Sequence, residues 1–335
     1  MHRFCFLPPR GCSPFSLVTA VLVAACGLLL AGSAPVVHAQ SSGTVLPARF
    51  EANRIYVTPV TAAGDTLRLY TDTGGGRYPI LTKPAVERLG LSPTDTLSRG
   101  RRSLPVVSFP DVEGIPAPTP DRAVVFPNRG QARLLDVGDG MLGQGWFAGG
   151  IWTFDYGAER LVHHPSREGL SFAPRHTVDL AFQTDSTGRR TGHHPRMQAT
   201  IAGEQHDFLL DTGATSVLAD SARGAVGGAT RIGSGFVIAS VFDQWRRNHP
   251  DWTVLKGGSV FRGGTPLIRV PEVTVAGHTV GPVWFERRPD RAFKKRMART
   301  MDQPVDGALG GSLFRHFRVT VDYPEARARF ERLAD

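Results

Sequence analysis

The chain has 335 residues, a formal net charge of +9 and three cysteines, Cys5, Cys12 and Cys26, all close to its start. If this N-terminal segment is removed, the remaining chain has no cysteine, which excludes thiol catalysis, thiolate metal sites and iron–sulfur chemistry for it. A chain without disulfides must be held by an ordinary hydrophobic core, and this one is long enough for two domains.

Residues 1–39 have the features of a secretory signal peptide. A basic start, an apolar run and a small-residue cleavage site are formed by Arg3 and Arg10, Phe15 to Leu30, and Val37-His38-Ala39. We therefore predict cleavage before Gln40 and export to the periplasm or out of the cell. Two alternatives stay open. The apolar run is about long enough for an N-terminal anchor, and the residues around Cys26 resemble a lipoprotein box that would make Cys26 a lipidated N-terminus.

A β-hairpin is predicted near the start of the folded part. The strand-like runs Arg54 to Val60 and Leu67 to Tyr70 flank a turn at Ala63-Gly64-Asp65. The second strand ends in Asp72-Thr73-Gly74, so the hairpin delivers an Asp into a loop. A short helix is expected soon afterwards, from Thr82 to Gly90, with a proline in its first turn and a terminating glycine.

The same arrangement recurs in the second half of the chain. Asp211-Thr212-Gly213 follows the apolar strand Phe208 to Leu210, and Gly203 precedes Asp211 by 8 residues, as Gly64 precedes Asp72. One tripeptide alone is weak evidence, because a chance match in a chain of this length is about a one-in-ten event. The repeated spacing is what gives the tripeptide its meaning.

A second pair of matching segments lies downstream of the two tripeptides. Asp139-Gly140-Met141-Leu142-Gly143 matches Asp306-Gly307-Ala308-Leu309-Gly310, and each is followed by an Asp-Tyr pair 16 residues after its first Asp. These pairs are Asp155-Tyr156 and Asp322-Tyr323. Because chance does not keep three registers at once, we predict two homologous lobes.

The predicted fold is mainly β, with two homologous lobes, a cleft between them and a few short helices. The predicted organisation is a signal peptide at 1–39, a flexible leader at 40–48, an N-terminal lobe at 49–162, a linker at 163–176 and a C-terminal lobe at 177–335. The second lobe has about 28 extra residues, which we assign to insertions at Phe236 to Trp252 and Arg287 to Met301. Trp245 and Trp252 are expected to be buried anchors.

If the loops that carry Asp72 and Asp211 meet, the two carboxyl groups affect each other's ionisation. At hydrogen-bonding distance both cannot ionise easily, so they share one proton. The ionised carboxylate can take a proton from a water while the protonated carboxyl group polarises a carbonyl, which is general acid–base catalysis without a covalent intermediate.

These motifs resemble those of bacterial two-lobed aspartyl proteases of the pepsin/retropepsin superfamily, over most of Ile55 to Phe330. The resemblance implies two aspartic-protease-like lobes, a peptide or protein substrate, and an aspartic endopeptidase with Asp72 and Asp211 as its dyad. Thr73 and Thr212 would be hydrogen-bonded between the lobes. The other site-supporting positions that it implies are Gly74, Gly213, Ala214, Leu142, Gly143, Leu309 and Gly310.

The resemblance also implies a β-hairpin flap over the cleft. A candidate in lobe two runs from Gly257-Gly258 to Gly263-Gly264, and a poorer one lies around Gly114 in lobe one. The residues after the tripeptides, Gly75 and Ala214, stand where pepsin-like enzymes usually have Ser or Thr. Because a hydroxyl hydrogen bond would lower the pKa of the carboxyl group, its absence predicts a pH optimum nearer neutral than that of pepsin.

Two alternatives to a two-lobed peptidase stay open. Gly74-Gly75-Gly76-Arg77 is looser than its second copy, so the protein could bind peptides with the same fold and without catalysis. It could also be a homodimer in which only Asp211 of each chain supplies the dyad. If both Asp residues of the dyad come from one chain, we expect a monomer.

The remaining motifs are given ordinary structural interpretations. The basic segment Arg287 to Arg299 has helical spacing, which favours a solvated helix face over association with an anionic envelope surface. Nucleic acid binding is not expected because aromatic residues do not interleave with the charges. His163-His164 and His193-His194 are expected at the surface rather than at a metal. No cofactor is expected, since the three-glycine spacing that begins at Gly138 does not recur in lobe two.

Overall fold

The computed structural model describes residues 43–99, 102–127, 130 and 134–334 of the chain. The predicted signal peptide, the cleavage site before Gln40 and Cys26 lie outside the described residues, so export stays a prediction. None of the helices in the described ranges combines the length and the apolar character that crossing a membrane requires.

Short strands are the commonest regular element of the described chain. In the N-terminal half they are β1 (Thr44–Val45), β2 (Ala48–Glu51), β3 (Arg54–Val57), β4 (Val60–Thr61), β5 (Leu69–Thr71), β6 (Ile80–Thr82), β7 (Asp95–Arg99), β8 (Arg102–Ser108), β9 (Val112–Glu113), β10 (Arg122–Phe126), β11 (Gly140–Leu142), β12 (Ile151–Asp155) and β13 (Arg160–His164).

The C-terminal half continues in the same way. Its strands are β14 (Thr177–Asp179), β15 (Arg196–Ile201), β16 (Glu204–Leu210), β17 (Thr215–Val217), β18 (Arg231–Gly233), β19 (Gly235–Ile238), β20 (Val254–Ser259), β21 (Thr265–Val270), β22 (Val273–Val275), β23 (His278–Val280), β24 (Val283–Arg288), β25 (Gly307–Leu309), β26 (Phe317–Asp322) and β27 (Arg327–Arg332).

The helices are short. The α-helices are α1 (Lys83–Arg88), α2 (Gln144–Phe147), α3 (Asp220–Arg223), α4 (Ala239–Asn248) and α5 (Gly311–Phe314). Single 3-10 turns lie at Pro174–His176, Gly224–Val226, Phe261–Gly263 and Met297–Thr300, and one π-helical turn lies at Ala292–Arg296.

The strands form two lobes, each built on its own sheet. In lobe one the described strands form an eight-stranded sheet in the order β2-β3-β5-β11-β6-β10-β8-β7. In lobe two they form a nine-stranded sheet in the order β20-β21-β24-β19-β25-β16-β15-β22-β23. The predicted mainly β fold with two lobes and a few short helices is confirmed.

The inner strands of the two lobes pair in the same way. In lobe one, β11 is parallel to β5 and antiparallel to β6, which is in turn parallel to β10. In lobe two, β25 is parallel to β16 and antiparallel to β19, which is in turn parallel to β24. The sequence repeat is therefore also a repeat of topology.

A third sheet joins the two lobes. Its described strands follow the order β1-β13-β12-β26-β27-β14, with three strands from each half of the chain. At its centre β12 and β26 are antiparallel, Thr153 lies opposite Thr320, and their hydroxyl oxygens are 2.8 Å apart. Trp152 and Phe317 are fully buried on this sheet. Backbone hydrogen bonds therefore run without interruption from one lobe to the other.

The predicted flexible leader at 40–48 is wrong from Thr44 onward. Thr44 and Val45 form the edge strand β1, which pairs with β13. Leu46 is buried, and its N–H donates to the carbonyl of Leu161 over 2.9 Å. The polar composition concealed this strand because its pairing partner lies more than a hundred residues away. The linker predicted at 163–176 also begins inside a strand, since β13 continues to His164.

The local predictions around the tripeptides are confirmed. The hairpin before the second tripeptide consists of β15 and β16, joined at Ala202 and Gly203, whose φ angles are 51° and 81°. The predicted helix after the first tripeptide is α1, with Thr82 at its N-cap and Pro84 in its first turn.

The insertion predicted at Phe236 to Trp252 is wrong. Ile80 pairs with Met141 in lobe one, and Phe236 pairs with Ala308 in lobe two, so β19 and α4 are the counterparts of β6 and α1. The aromatic residues mark a buried strand and helix rather than an insertion. About 17 of the extra residues lie before β19, in the β17–β18 ribbon and α3, because Phe236 follows Asp211 by 25 residues whereas Ile80 follows Asp72 by 8. Trp245 is buried, as predicted, whereas Trp252 is half-buried.

Candidate active site

Each tripeptide begins where an inner strand of its lobe ends. The strands β5 and β16 run parallel to β11 and β25, which carry the later glycine motifs. The N–H of Asp72 donates to the carbonyl of Leu142 over 2.9 Å, and the N–H of Asp211 donates to the carbonyl of Leu309 over 2.8 Å. The two segments that sequence pairs with the tripeptides thus lie directly beside the two Asp residues.

The glycines of these later motifs allow a close approach of backbones. A Cβ atom on Gly143 would lie 2.2 Å from the carbonyl oxygen of Gly76, and one on Gly310 would lie 2.1 Å from that of Ser234. Real Cβ atoms do not approach an oxygen so closely, so a side chain at either position would displace the loop.

The glycine-rich first loop has the same turn as the second. The N–H of Gly75 donates to the carbonyl of Asp72 over 2.9 Å, and the N–H of Ala214 donates to the carbonyl of Asp211 over 3.1 Å. The looser sequence of the first copy therefore does not change the backbone geometry that holds its Asp.

The carboxyl groups of Asp72 and Asp211 face each other across the lobe boundary. A Cβ atom on Gly213 would lie 2.2 Å from Cγ of Asp72, and one on Gly74 would lie 2.6 Å from Cγ of Asp211. The two side chains are hydrogen-bonding partners. Oδ1 of Asp72 is buried and has no hydrogen-bond partner among the described residues, so a shared proton or a water is needed to satisfy it.

Burial and mutual repulsion raise the pKa values of this pair. Burial raises the pKa of Asp211 well above its usual range, and the charge of Asp72 raises it further. Burial also raises the pKa of Asp72, but hydrogen bonding from Asp211, the imidazole of His194 and the N–H groups of Gly74 and Gly75 oppose the rise. Because both pKa values are raised, the two carboxyl groups share one proton and titrate as a pair.

Thr73 and Thr212 interlock the two loops. The N–H of Thr73 donates to Oγ1 of Thr212 over 3.2 Å, and the N–H of Thr212 donates to Oγ1 of Thr73 over 2.9 Å. The Thr73 hydroxyl donates in turn to the carbonyl of Leu210 over 2.8 Å. Both threonines are completely buried, so these bonds fix the separation of the two Asp residues without competition from water.

Tyr70 is a further contact between the lobes that the sequence did not single out. Its hydroxyl donates to the carbonyl of Gly213 over 3.0 Å and lies 2.7 Å from Oγ1 of Thr215. Burial raises its pKa far above the ordinary value of a tyrosine, so the hydroxyl stays neutral and can act as a donor.

Two of the histidines expected at the surface are buried, and that expectation is wrong for them. His164 is held by Oγ1 of Thr153, 2.9 Å from its Nε2. His194 lies with Nε2 3.0 Å from the carbonyl oxygen of Gly75 and Nδ1 3.3 Å from that of Thr300. His194 thus supports the loop that carries Asp72. This role could not be predicted from the sequence, because Gly75 is 119 residues away from His194.

A cleft of about 560 Å³ contains the dyad, a volume in the usual range for ligand sites. Its apolar lining comes from both lobes: Leu134, Leu135, Val217, Phe236, Phe261 and Met297. The expectation that this cleft lies between the lobes is consistent with that lining.

The basic segment Arg287 to Arg299 also lines the cleft, which its sequence did not suggest. It is not a regular α-helix: β24 ends at Arg288, and a π-helical turn and a 3-10 turn follow. Association of this segment with an envelope surface stays a prediction.

The long hairpin β20–β21 in lobe two contains the glycines proposed for a flap, and Phe261 at its turn lines the cleft. In lobe one the corresponding long hairpin is β7–β8 rather than the region around Gly114. Gly114 instead follows β9, which pairs with β4. The prediction of a lobe-one flap around Gly114 is therefore wrong.

Comparisons with known proteins do not establish the function of this chain. No protein-family model matches the chain, and no curated protein matches it in sequence. Among solved structures it is similar to the aspartic proteinase from Irpex lacteus, with 11% sequence identity and a TM-score of 0.49, over 88% of this chain and 98% of that chain. At this identity and score, the similarity carries no argument about function.

The raised pKa of Asp211 predicts a stability that depends on pH. Because the folded state binds this proton more tightly than the unfolded state, the contribution of Asp211 is largest below the unfolded pKa of about 4 and falls as pH rises toward the folded pKa. Asp211→Asn removes this loss. We expect the variant to gain stability relative to the unmodified protein between about pH 4 and pH 7, by about 1.4 kcal/mol for each unit of the raised pKa.

Urea unfolding at about pH 4 and about pH 7 measures the gain in stability of the Asp211→Asn variant. The exposed Asp251 provides the matched control, since Asp251→Asn should shift stability equally at both. A difference between the Asp211→Asn variant and the unmodified protein that stays constant with pH would contradict the raised pKa.

Proposed function

We propose that the protein is an aspartic endopeptidase of the pepsin/retropepsin superfamily. The observation that carries the proposal is the contact between the side chains of Asp72 and Asp211, which come from two homologous loops and both line one cleft. A carboxyl pair with one shared proton is what the general acid–base hydrolysis of a peptide bond requires.

The two carboxyl groups have different roles in the proposed mechanism. The ionised Asp72 takes a proton from a water, whose oxygen attacks the scissile carbonyl carbon, while the protonated Asp211 donates to the carbonyl oxygen. The tetrahedral intermediate collapses when Asp72 passes the proton taken from water to the amide nitrogen, which leaves as an amine. Asp211 regains its proton from a hydroxyl group of the intermediate, so the dyad returns to its starting state. No covalent bond to the enzyme forms, so the chain needs no nucleophilic Ser or Cys.

The surroundings of the dyad support this assignment. Both carboxyl groups accept backbone N–H groups of their own turns, and the N–H of Gly213 donates to Oδ1 of Asp211 over 3.0 Å. No hydroxyl group follows either tripeptide, since Gly75 and Ala214 stand there. A pH optimum nearer neutral than that of pepsin therefore remains our prediction.

The two alternatives have less support. A homodimer with one Asp from each chain does not need Asp72, yet Asp72 and Asp211 of a single chain are already in contact. A peptide-binding protein without turnover does not need a shared proton, and burying two carboxyl groups costs stability that binding alone does not require.

Cleavage of an unfolded protein tests the proposal. We expect the purified protein to cleave reduced, unfolded casein and to be inhibited by a statine-type mimic of the tetrahedral intermediate. The optimum should lie above about pH 3, the range of a pepsin-type dyad. Binding of casein peptides with no cleavage between about pH 3 and pH 8 would support the binding protein instead.

A further inference from the structure

The wall of the cleft on the side of lobe two is strongly basic. Of the residues that line the cleft, five carry a positive charge: Arg288, Arg291, Lys295, Arg296 and Arg299. Among the described lining residues, the only acidic side chains are the dyad itself, Asp72 and Asp211. Because that pair shares one proton, it offers little charge to offset the wall.

The basic wall is held in a fixed place by buried apolar side chains. Phe293, inside the π-helical turn, and Met301, just after the 3-10 turn, are both buried. They pack in one cluster with Leu209, which lies in the strand that leads into Asp211. A π-helical turn is rare and is found mostly at functional sites. The segment is therefore built onto the same strand that delivers a dyad carboxyl group.

Some charges of the segment are neutralised within the protein. Arg287 pairs with Asp243 over 2.8 Å, and Lys294 pairs with Asp306 over 2.6 Å. Arg288 lies 2.8 Å from the buried Glu286 and stacks over Phe236 and Phe261. These three residues are structural, and their positive charge is largely compensated.

The other four are not neutralised. Arg291, Lys295, Arg296 and Arg299 are exposed, and in the described part of the chain no acidic group pairs with them. A cleft lined by charges of one sign concentrates ligands of the opposite sign. Their natural counter-ions are thus groups on whatever occupies the cleft.

Resting on the proposed peptidase activity, we infer that the preferred substrates are acidic peptides. An apolar side chain beside the scissile bond fits the lining formed by Phe236, Phe261 and Met297. Asp or Glu side chains a few residues away meet the basic wall of lobe two. The residues that determine this specificity are Arg291, Lys295, Arg296 and Arg299.

Matched peptides test the inference directly. Three fluorogenic peptides share one apolar core and carry Glu, Gln or Lys at the same flanking positions. At about pH 6.5, where Glu is ionised, we expect kcat/KM to be roughly tenfold higher for the Glu peptide than for the Gln peptide, and lowest for the Lys peptide. Raising NaCl from about 0.05 M to about 0.5 M should reduce the difference, since these charges are exposed.

Charge reversal in the cleft provides the second measurement. The double variant R291E/R296E leaves two positive and two negative charges among these four positions, so the preference for the Glu peptide over the Lys peptide should be lost. The matched control is R246E/R247E, which changes the net charge equally on α4, where both arginines are exposed and outside the cleft lining. The control should keep the order of the unmodified protein. An equal effect of the two double variants would overturn the inference, because the preference would then come from net charge alone.

Failure of the inference and failure of the proposed function are distinguishable. Equal cleavage of all three peptides would overturn the acidic preference and leave the peptidase intact. If no peptide is cleaved, the proposed peptidase activity is contradicted. The binding affinities of the same labelled peptides, measured by fluorescence anisotropy, then test the acidic preference. Tighter binding of the Glu peptide, lost in R291E/R296E, supports the basic wall as the recognition surface, and equal binding overturns it.

Discussion

Asp211→Asn is expected to lower kcat/KM for peptide cleavage by about a hundredfold to ten-thousandfold, and Asp72→Asn by a similar factor. Asn has nearly the shape of Asp, so the turns and their backbone hydrogen bonds persist. It can neither take a proton from water nor donate one as a carboxylic acid does. In the proposed mechanism Asp72 is the base and Asp211 the acid of one coupled pair, so losing either would end the same step.

Rates with a fluorogenic peptide across a range of pH measure this loss, and circular dichroism confirms that the variants fold. Asp220→Asn is the control, because this exposed carboxylate pairs with Arg223 on α3 and does not line the cleft. Full activity in Asp72→Asn together with none in Asp211→Asn would contradict the two-lobed dyad. That result would favour a homodimer that uses lobe two alone.

Thr73→Ala is expected to destabilise the protein by about 2 to 4 kcal/mol, although its side chain is small. The Thr73 hydroxyl accepts the N–H of Thr212 and donates to the carbonyl of Leu210. Both partners are buried, so each loses a hydrogen bond that water cannot replace, at a cost of about 1 to 3 kcal/mol per group. Thr212→Ala should cost less, because it deprives one described donor, the N–H of Thr73, of its partner.

Urea unfolding gives these free energies. Thr73→Ser keeps the hydroxyl and should lose only about 1 kcal/mol for the missing methyl group. Thr279→Ala is the matched control: its hydroxyl lies 2.8 Å from that of Thr274, but it is exposed, so the change should stay within about 0.5 kcal/mol. A cost for Thr73→Ala no larger than that of Thr279→Ala would mean that the interlock does not hold the loops together.

The geometry around the dyad was largely readable from sequence because its determinants are local and occur twice. Asp72 and Asp211 stand at the ends of apolar strands, and the glycine motifs stand at matching distances. A repeated spacing of motifs indicates a repeated backbone arrangement. In the structure this repeat consists of β5 pairing in parallel with β11 and β16 pairing in parallel with β25.

Features that depend on contacts between distant parts of the chain could not be predicted from the sequence. His194 looked like a surface residue because its neighbours in sequence are polar, yet its partners Gly75 and Thr300 are far away in the chain. Phe236 looked like part of an insertion because its aromatic neighbours stand out. Only its pairing with Ala308 shows that it occupies the place of Ile80 in the repeat.

The basic segment illustrates a different limit. Its charges are plain in the sequence, but charge alone does not say which surface carries it. Phe293 and Met301 decide that question by anchoring the segment beside Leu209, and such packing cannot be read from the spacing of lysines and arginines.

The position of the basic wall on lobe two has a consequence for how a peptide would be oriented. A cleft with perfect twofold symmetry offers identical surroundings to both ends of a chain, so a peptide can lie in it in either of two opposite directions. Here the described lining of the cleft has four uncompensated cations on the side of lobe two and none on the side of lobe one. An acidic residue on one side of the scissile bond would therefore select a single N-to-C orientation, and the protein would distinguish a sequence from its reverse.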